Sequence, residues 1–472
     1  MHPVITLSGR KRSGKGVLSD LLTQNGAHQI SMAGWLKKAA ARLFSISEDN
    51  LNLLKNEGGD LPPIDPVQVD ALCTAEPGLS PFKTVMLERN PWNARHFLQF
   101  FGTEICRASD PEFHTKKAFG EIERLRAMGP VVSDDVRFPN ELVLRQKGAH
   151  CFFIISPWNW DVSNHPSETS ILWADFDRSH IIVNDQPLSA FQWRYRQFFQ
   201  RLLSHGSPWE HPIARRISEL AQEGLSSTDI ARRLKCSRDK VIWWAIRANL
   251  RFRHTRYESL DAAMLEPTAE TAYWAGLLMA DGCVKRSGNS NTRYVVELTS
   301  IDKELVEGWK KFTGSGRPIY TKAASQHPFG DRMYQCQAIH GLIIENPFIL
   351  ENLKLWGLKP RKSLDEDMPY MVQQHPDLLG PWLRGLIDGD GSVFQTTQYG
   401  KPQRHVVVLT SHKLSAWLQE TLRIPCSIEP DHKGVPGLTS MRFAGKNAER
   451  LGNLVSGFPR LERKWGPHFE NL

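Results

Sequence analysis

The chain has 472 residues, more than one hydrophobic core organises, so two to four domains are expected. Apolar residues at 40% and charged residues at 23% exclude wholesale disorder, and no apolar run nears the about 18 residues of a membrane span. The formal charge of +8 is unevenly placed: residues 1–205 hold 23 Lys and Arg against 22 Asp and Glu, the rest 36 against 29, a bias that points to a polyanion such as nucleic acid. The seven cysteines are scattered with no Cys-x-x-Cys pair, which excludes a zinc ribbon and a fully paired disulfide framework and fits a reducing compartment. The start, Met1 to Leu7, lacks the basic and apolar regions of a secretory signal, so a cytoplasmic protein is expected.

The first element is an apolar strand, Val4–Leu7, followed by a Gly/Lys/Arg loop and a helical pattern, Val17–Leu22. Further strand signals are Pro130–Ser133, Cys151–Ile155 and Ile181–Val183. Strands separated by helical stretches predict an α/β domain with a mostly parallel sheet over residues 1–205, ending at Ser204-His205-Gly206-Ser207-Pro208. The loop Gly9-Arg10-Lys11-Arg12-Ser13-Gly14-Lys15 has the strand-before, helix-after setting of a phosphate-binding P-loop. Its backbone amides would cradle phosphates and Lys15 would reach the β- and γ-phosphates. Gly16 stands where a Ser or Thr normally meets Mg²⁺.

Three more segments, Leu98–Glu104, Asp135–Glu141 and His165-Pro166-Ser167-Glu168, complete a pattern that resembles phage-type deoxynucleoside monophosphate kinases over about 1–205. The resemblance implies ATP phosphates on Gly9, Lys11, Arg12, Ser13, Gly14, Lys15 and Gly16, and deoxynucleoside monophosphates as acceptors. It also implies nucleotide or phosphoryl contacts from Arg95, Gln99, Arg107 and Arg137, the cations that phosphoryl transfer needs. Two departures put activity in doubt: Gly16, and Gly34 where relatives tend to carry an acid.

Residues 213–250 read as three short amphipathic helices with tight turns, a helix-turn-helix pattern followed by basic residues to Arg256. Ser237 is a fitting N-cap for the third helix, which places Arg238 and Lys240 near the end where such helices meet base edges. The plain alternative is a connector made of three packed helices.

From about 268 the chain repeats itself, with halves at about 268–365 and 376–472. Each copy predicts a helix ending in Asp-Gly, then strand, helix, strand: Tyr294–Thr299, from Lys303, and Tyr334–Ile339 in the first, His405–Thr410, from Lys413, and Ser440–Ala444 in the second. This predicts two αββαββα units in an α+β pseudo-twofold arrangement. Small residues recur in both motif helices, Ala275, Gly276 and Ala280 in one, Gly385 and Gly389 in the other, which would let two backbones approach closely. Packed in parallel, the helices would bring Asp281 and Asp390 together, 109 residues apart in the chain. Two carboxylates at two helix C-termini repel one another unless a divalent cation such as Mg²⁺ sits there, where metals can activate water against a phosphodiester.

Trp-Ala-Gly-Leu-Leu-Met-Ala-Asp-Gly (274–282) and Leu-Arg-Gly-Leu-Ile-Asp-Gly-Asp-Gly (383–391) resemble the paired motifs of monomeric LAGLIDADG homing endonucleases. The resemblance implies Mg²⁺-dependent double-strand cleavage of DNA by a domain acting as a monomer, with Asp281 and Asp390 as catalytic metal ligands. Asp388 is set aside because its counterpart is Met279. A basic residue late in each half, which positions the attacking water in that family, corresponds to Lys362 and, by the repeat, Lys464. Strands after each motif helix would form ribbons entering the major groove, with Arg293, Gln335, Gln337, Gln403, Arg404, His405 and Arg442 as collective candidates for DNA contact.

The expected whole is a multidomain fusion from a bacterial or phage-infected cell: P-loop kinase-like domain (1–205), helix-turn-helix with a basic linker (213–256), endonuclease (268–472). A working deoxynucleotide kinase with a non-cleaving, maturase-like DNA- or RNA-binding C-terminal part is the alternative, and a non-enzymatic regulator using the helix-turn-helix is a third. The end, Phe469-Glu470-Asn471-Leu472, lacks the His-Asn pair of an intein, so self-splicing is not expected.

Overall fold

Val4, Ile5 and Leu7 are all buried and bring Thr6 and Ser8 inside with them, as a strand covered on both faces requires. In the computed structural model this segment is β1 (Val4–Ser8), joined in one sheet by β2 (His28–Gln29), β3 (Val131–Ser133), β4 (His150–Ile155) and β5 (Ile181–Val183) in the order β2-β3-β1-β4-β5. β1 runs parallel to β3 and β4, and β2 parallel to β3. The structure describes residues 2–88, 92–160, 166–250, 252, 259–329, 332–361, 368–430, 437–457, 461–466 and 469. Among the described residues no helix is long and apolar enough to cross a membrane.

Contact density divides the chain into two units: residues 1–154, 165–182 and 188–251, and residues 155–164, 183–187 and 252–472. In the first, Leu18, Leu21 and Leu22 of the helix Lys15–Thr23 and Phe191, Tyr195, Phe198, Phe199 and Leu202 of the helix Leu188–His205 cover the parallel sheet. A second core, centred on Phe97, Phe101, Trp92 and Leu51, holds the helices between β2 and β3. The three helices Pro212–Gln222, Ser227–Arg233 and Arg238–Arg247 belong to the same unit, and the Ser226 and Ser237 hydroxyls cap the second and third.

His150 and His180 lie among Phe152 and Trp209, with the His180 ring 4.5 Å from Trp209. Burial, reinforced by His150 nearby, pushes the His180 pKa down to about 4, and burial lowers His150 too. Neutral imidazoles therefore favour the folded form above the unfolded value of about 6.5, and that stability is lost as pH falls toward 4. The first unit should lose up to about 3 kcal/mol between pH 7 and pH 4 from His180 alone. Urea unfolding followed across that range should show His180→Phe flattening the acid limb; an unchanged slope would refute the assignment.

In the second unit β6 (Gly282–Arg286), β7 (Tyr294–Ser300), β8 (Tyr320–Lys322) and β11 (Ile339–Ile344) form a sheet ordered β6-β7-β11-β8, while β9 (Ser325–Phe329) and β10 (Arg332–Cys336) form a separate antiparallel hairpin. The second half builds β12 (Ser392–Gln398), β13 (Lys401–Ser411), β14 (Ser427–Pro430) and β15 (Leu438–Ala444) into the order β12-β13-β15-β14. The orders correspond strand for strand, and each sheet follows one motif helix, so two αββαββα units are present. The strand expected at Tyr334–Ile339 is displaced: the sheet strand is Ile339–Ile344, and Gln335 belongs to the hairpin, opposite Gln326.

Candidate functional site

The first motif helix, Ala269–Asp281, starts where the Thr268 hydroxyl accepts from the Thr271 amide. Every residue from Thr271 to Met279 is buried, and so is every residue from Gly380 to Asp388 of the second motif helix, Leu379–Asp390. Helices buried on all sides must be enclosed by neighbours, and these two enclose each other. A Cβ at Gly276 would fall on the Trp382 carbonyl oxygen and 2.9 Å from the Leu386 nitrogen; one at Gly385 would fall on the Tyr273 carbonyl and 2.7 Å from the Leu277 nitrogen. Main chain thus lies against main chain, which larger side chains would forbid.

Both helices end at the acid. Gly282 and Gly391 follow in extended conformation, and a Cβ on either would sit 2.5 Å and 2.6 Å from the carbonyls of Leu278 and Ile387. The glycine after each acid is therefore a geometric necessity of turning from helix straight into strand. A Cβ on Gly389 would lie 3.5 Å from the Asp281 carboxyl carbon, which sets Asp281 beside the last turn of the other helix, one residue before Asp390. Asp281 is half-buried and Asp390 exposed.

Lys464, on the short helix Glu462–Trp465, reaches the same end. Its ammonium donates to the carbonyls of Ile387 at 3.1 Å, Asp388 at 2.6 Å and Gly389 in the last turn of the helix, the first of which also accepts from the Gly391 amide at 2.9 Å. Burial lowers its pKa, and the neighbouring Asp281, Asp388 and Asp390 oppose the shift. Arg463 makes a two-pronged pair with Asp302, at 3.2 and 2.8 Å.

Asp388, set aside in the sequence, is a buried tie. It accepts from the Tyr273 hydroxyl at 3.0 Å and the Trp465 indole at 2.7 Å, with Arg384 at 3.4 Å. Burial raises its pKa while Arg384 pulls it down. One carboxylate thereby joins the first motif helix, the second and the segment that carries Lys464. Lys362 lies outside the described residues, as does the stretch 253–258 of the basic linker.

On the second sheet Gln403, His405, Val407 and Arg442 share the face away from the core, by strand alternation and the pairing Val407↔Arg442. His405 is 7% exposed, hydrogen-bonded to Thr396 and stacked on Phe394. Arg404 takes the other face, 3.3 Å from Glu449. Arg293 stands beside β7, 3.7 Å from Glu345, and Gln335 and Gln337 are exposed. Lys240 is exposed on the third helix of the helical set, and Arg238 reaches the Ser227 hydroxyl at 3.3 Å.

In the first unit the loop Gly9–Lys15 turns at three left-handed positions, Gly9 (φ 135), Arg12 (φ 60) and Gly14 (φ 109). Lys15 donates to the Gly9 and Arg10 carbonyls at 2.6 and 2.8 Å, and burial, with Arg137 nearby, lowers its pKa to about 8. A Cβ at Gly16 would meet nothing within 4 Å, so space does not require glycine there. Arg107 pairs with buried Glu141 and lies 3.6 Å over the Phe138 ring, whereas Arg137 pairs with Glu168 at 2.7 Å. Arg95 is exposed and Gln99 half-buried on the helix Ala94–Phe100, which continues as the π-helix Phe101–Arg107. Asp135 is occupied by Ser31, Met32, Ala33 and Ser133.

Residues 268–314 match the family model of a LAGLIDADG-like domain. Among solved structures, the LAGLIDADG meganuclease I-AabMI bound to uncleaved DNA is 10% identical, with 42% of this chain and 87% of that one covered and a TM-score of 0.27. The homing endonuclease I-WcaI bound to its recognition sequence is 13% identical, covers 42% and 86%, and has a TM-score of 0.29. I-LtrWI bound to target DNA is 14% identical, covers 41% and 86%, and has a TM-score of 0.26. No curated protein matches the chain.

Proposed function

We propose that the C-terminal part of this chain, about 268–472, is a homing endonuclease that makes Mg²⁺-dependent double-strand breaks at a long DNA site. The observation that carries the reading is the convergence of Asp281, Asp390 and Lys464 at one end of two helices whose backbones touch. Hard carboxylate oxygens suit Mg²⁺, which when bound would neutralise the scissile phosphate and lower the pKa of water. Asp281 and Asp390 would hold it. Lys464 acts as a positioning residue: its ammonium fixes the last turn that presents Asp390 and offsets the repulsion between the acids. Gln403 and Arg442, on the open face of the second sheet, and Arg293 beside the first supply contacts to the duplex. Incubation with Mg²⁺ and duplexes tiled across the locus that carries the gene should give one cut site; no cut anywhere overturns the reading.

The helical set supplies further hold on DNA. Residues 206–256 carry 11 Lys and Arg against five Asp and Glu, whereas 257–472 carry 25 against 24. Electrostatic affinity should therefore reside mainly in the helices. Lys240→Ala should weaken binding to unrelated duplex and lower the salt slope by about one. Filter binding from low to high salt checks this, and an unchanged slope would place the phosphate contacts elsewhere.

A second reading, ATP-dependent phosphorylation of deoxynucleoside monophosphates by residues 1–205, is favoured by one observation, the Gly9–Lys15 loop with its left-handed turns and half-buried Lys15 at the carboxyl end of β1. The loop amides and Lys15 fit a polyphosphate; the hydroxyl that would face a metal is absent at Gly16.

A further inference from the structure

We propose that the Glu168 carboxylate is a built-in occupant of the P-loop, which an entering nucleotide phosphate must displace. The inference rests on the second reading above. The Lys11 amide donates to Glu168 Oε2 at 2.6 Å and Arg137 Nη1 donates to Oε1 at 2.7 Å, while Arg10 Nη1 reaches the Glu168 carbonyl at 3.4 Å. A loop amide and a guanidinium are the two kinds of donor that such loops use for phosphate oxygens. The carboxylate bridges them as two oxygens of one phosphate would, so it stands in for the ligand and marks its place.

The two anions cannot share these donors. The Lys11 amide has a single proton, and a phosphate beside an ionised carboxylate would be repelled at short range. Glu168 is only 11% exposed, so its charge is shielded from solvent while it sits there. Lys15 is meanwhile held on the Gly9 and Arg10 carbonyls. Phosphate entry thus requires Glu168 to swing out and Lys15 to change partners, and the free energy of both is subtracted from the affinity. The ligand class is a nucleoside triphosphate or inorganic polyphosphate, and the occupant sets a concentration threshold for it.

Titration calorimetry on the full chain with ATP, and separately with tripolyphosphate, tests this. Glu168→Gln keeps the shape, removes the charge, and should bind both ligands about tenfold more tightly than wild type. Glu168→Asp keeps the charge but withdraws it by one methylene, and should tighten binding as well. This second variant decides the matter if the first does not fold. Equal or weaker binding by the variants, with wild type binding, overturns the occupant and leaves the phosphate site standing. If no protein binds either ligand, or Lys15→Ala binds as well as wild type, the phosphate site itself fails and the occupant with it.

Discussion

Asp390→Asn is expected to lose DNA cleavage by about 10³-fold or more while holding DNA more tightly than wild type in metal-free buffer. The two effects have one cause. The acid is exposed at the end of the second motif helix, where the helix carbonyls already make the potential negative. Removing its charge takes away a proposed metal ligand and also a source of repulsion toward the phosphate backbone. A misfolded variant would lose both functions, so the opposite signs separate chemistry from structure. Asp281→Asn should behave alike. Cleavage by Asp390→Asn at the wild-type rate would remove the acid from the reaction.

Gly385→Ala should unfold the second unit more readily by about 3 kcal/mol, roughly 6–12 °C in its melting temperature. The added methyl has no side chain to push aside. It meets the Tyr273 carbonyl and lies 2.7 Å from the Leu277 nitrogen, so two helices must part along their length. Gly120→Ala is the control: its Cβ meets nothing within 4 Å on an exposed helix position, and alanine there should stabilise by about 0.5–1 kcal/mol. Differential scanning calorimetry of both variants checks the pair, and equal melting temperatures would deny the close packing of the motif helices.

Much of this architecture is legible in the sequence. Short apolar runs locate four of the five strands of the first sheet, because such strands are buried on both faces. Only the two-residue β2 left no trace. The motif helices announced their packing through Gly276, Gly385 and Gly389, and the Asp-Gly ends fixed where each helix stops. Strand assignment failed where it depended on distant partners. Tyr334 to Ile339 alternates as a strand should, and part of it is one, but local pattern cannot say which sheet a strand joins; the sheet took Ile339–Ile344 and left the hairpin outside. The same limit hid the role of Asp388. Its partners Tyr273 and Trp465 lie 115 and 77 residues away in the chain, and neither belongs to a recognisable motif. Lys464 was found only because the repeat aligned it with Lys362. His405 looked like a groove-facing residue because strand alternation gives its side, not how fully Thr396 and Phe394 would enclose it.

The short helix Glu462–Trp465 has a bearing on when the end of the second motif helix is complete during synthesis. Both acids and both motif helices are synthesised well before it, yet it supplies the ammonium that closes the second helix and the indole that satisfies buried Asp388. A premature stop between residues 391 and 461 would leave every motif residue intact and still yield a helix pair whose Asp388 and Gly389 carbonyls lack the Lys464 ammonium and whose Asp388 carboxylate is short of a donor. A nascent or truncated chain therefore carries both Asp-Gly motifs while lacking the residues that close the second motif helix and satisfy Asp388.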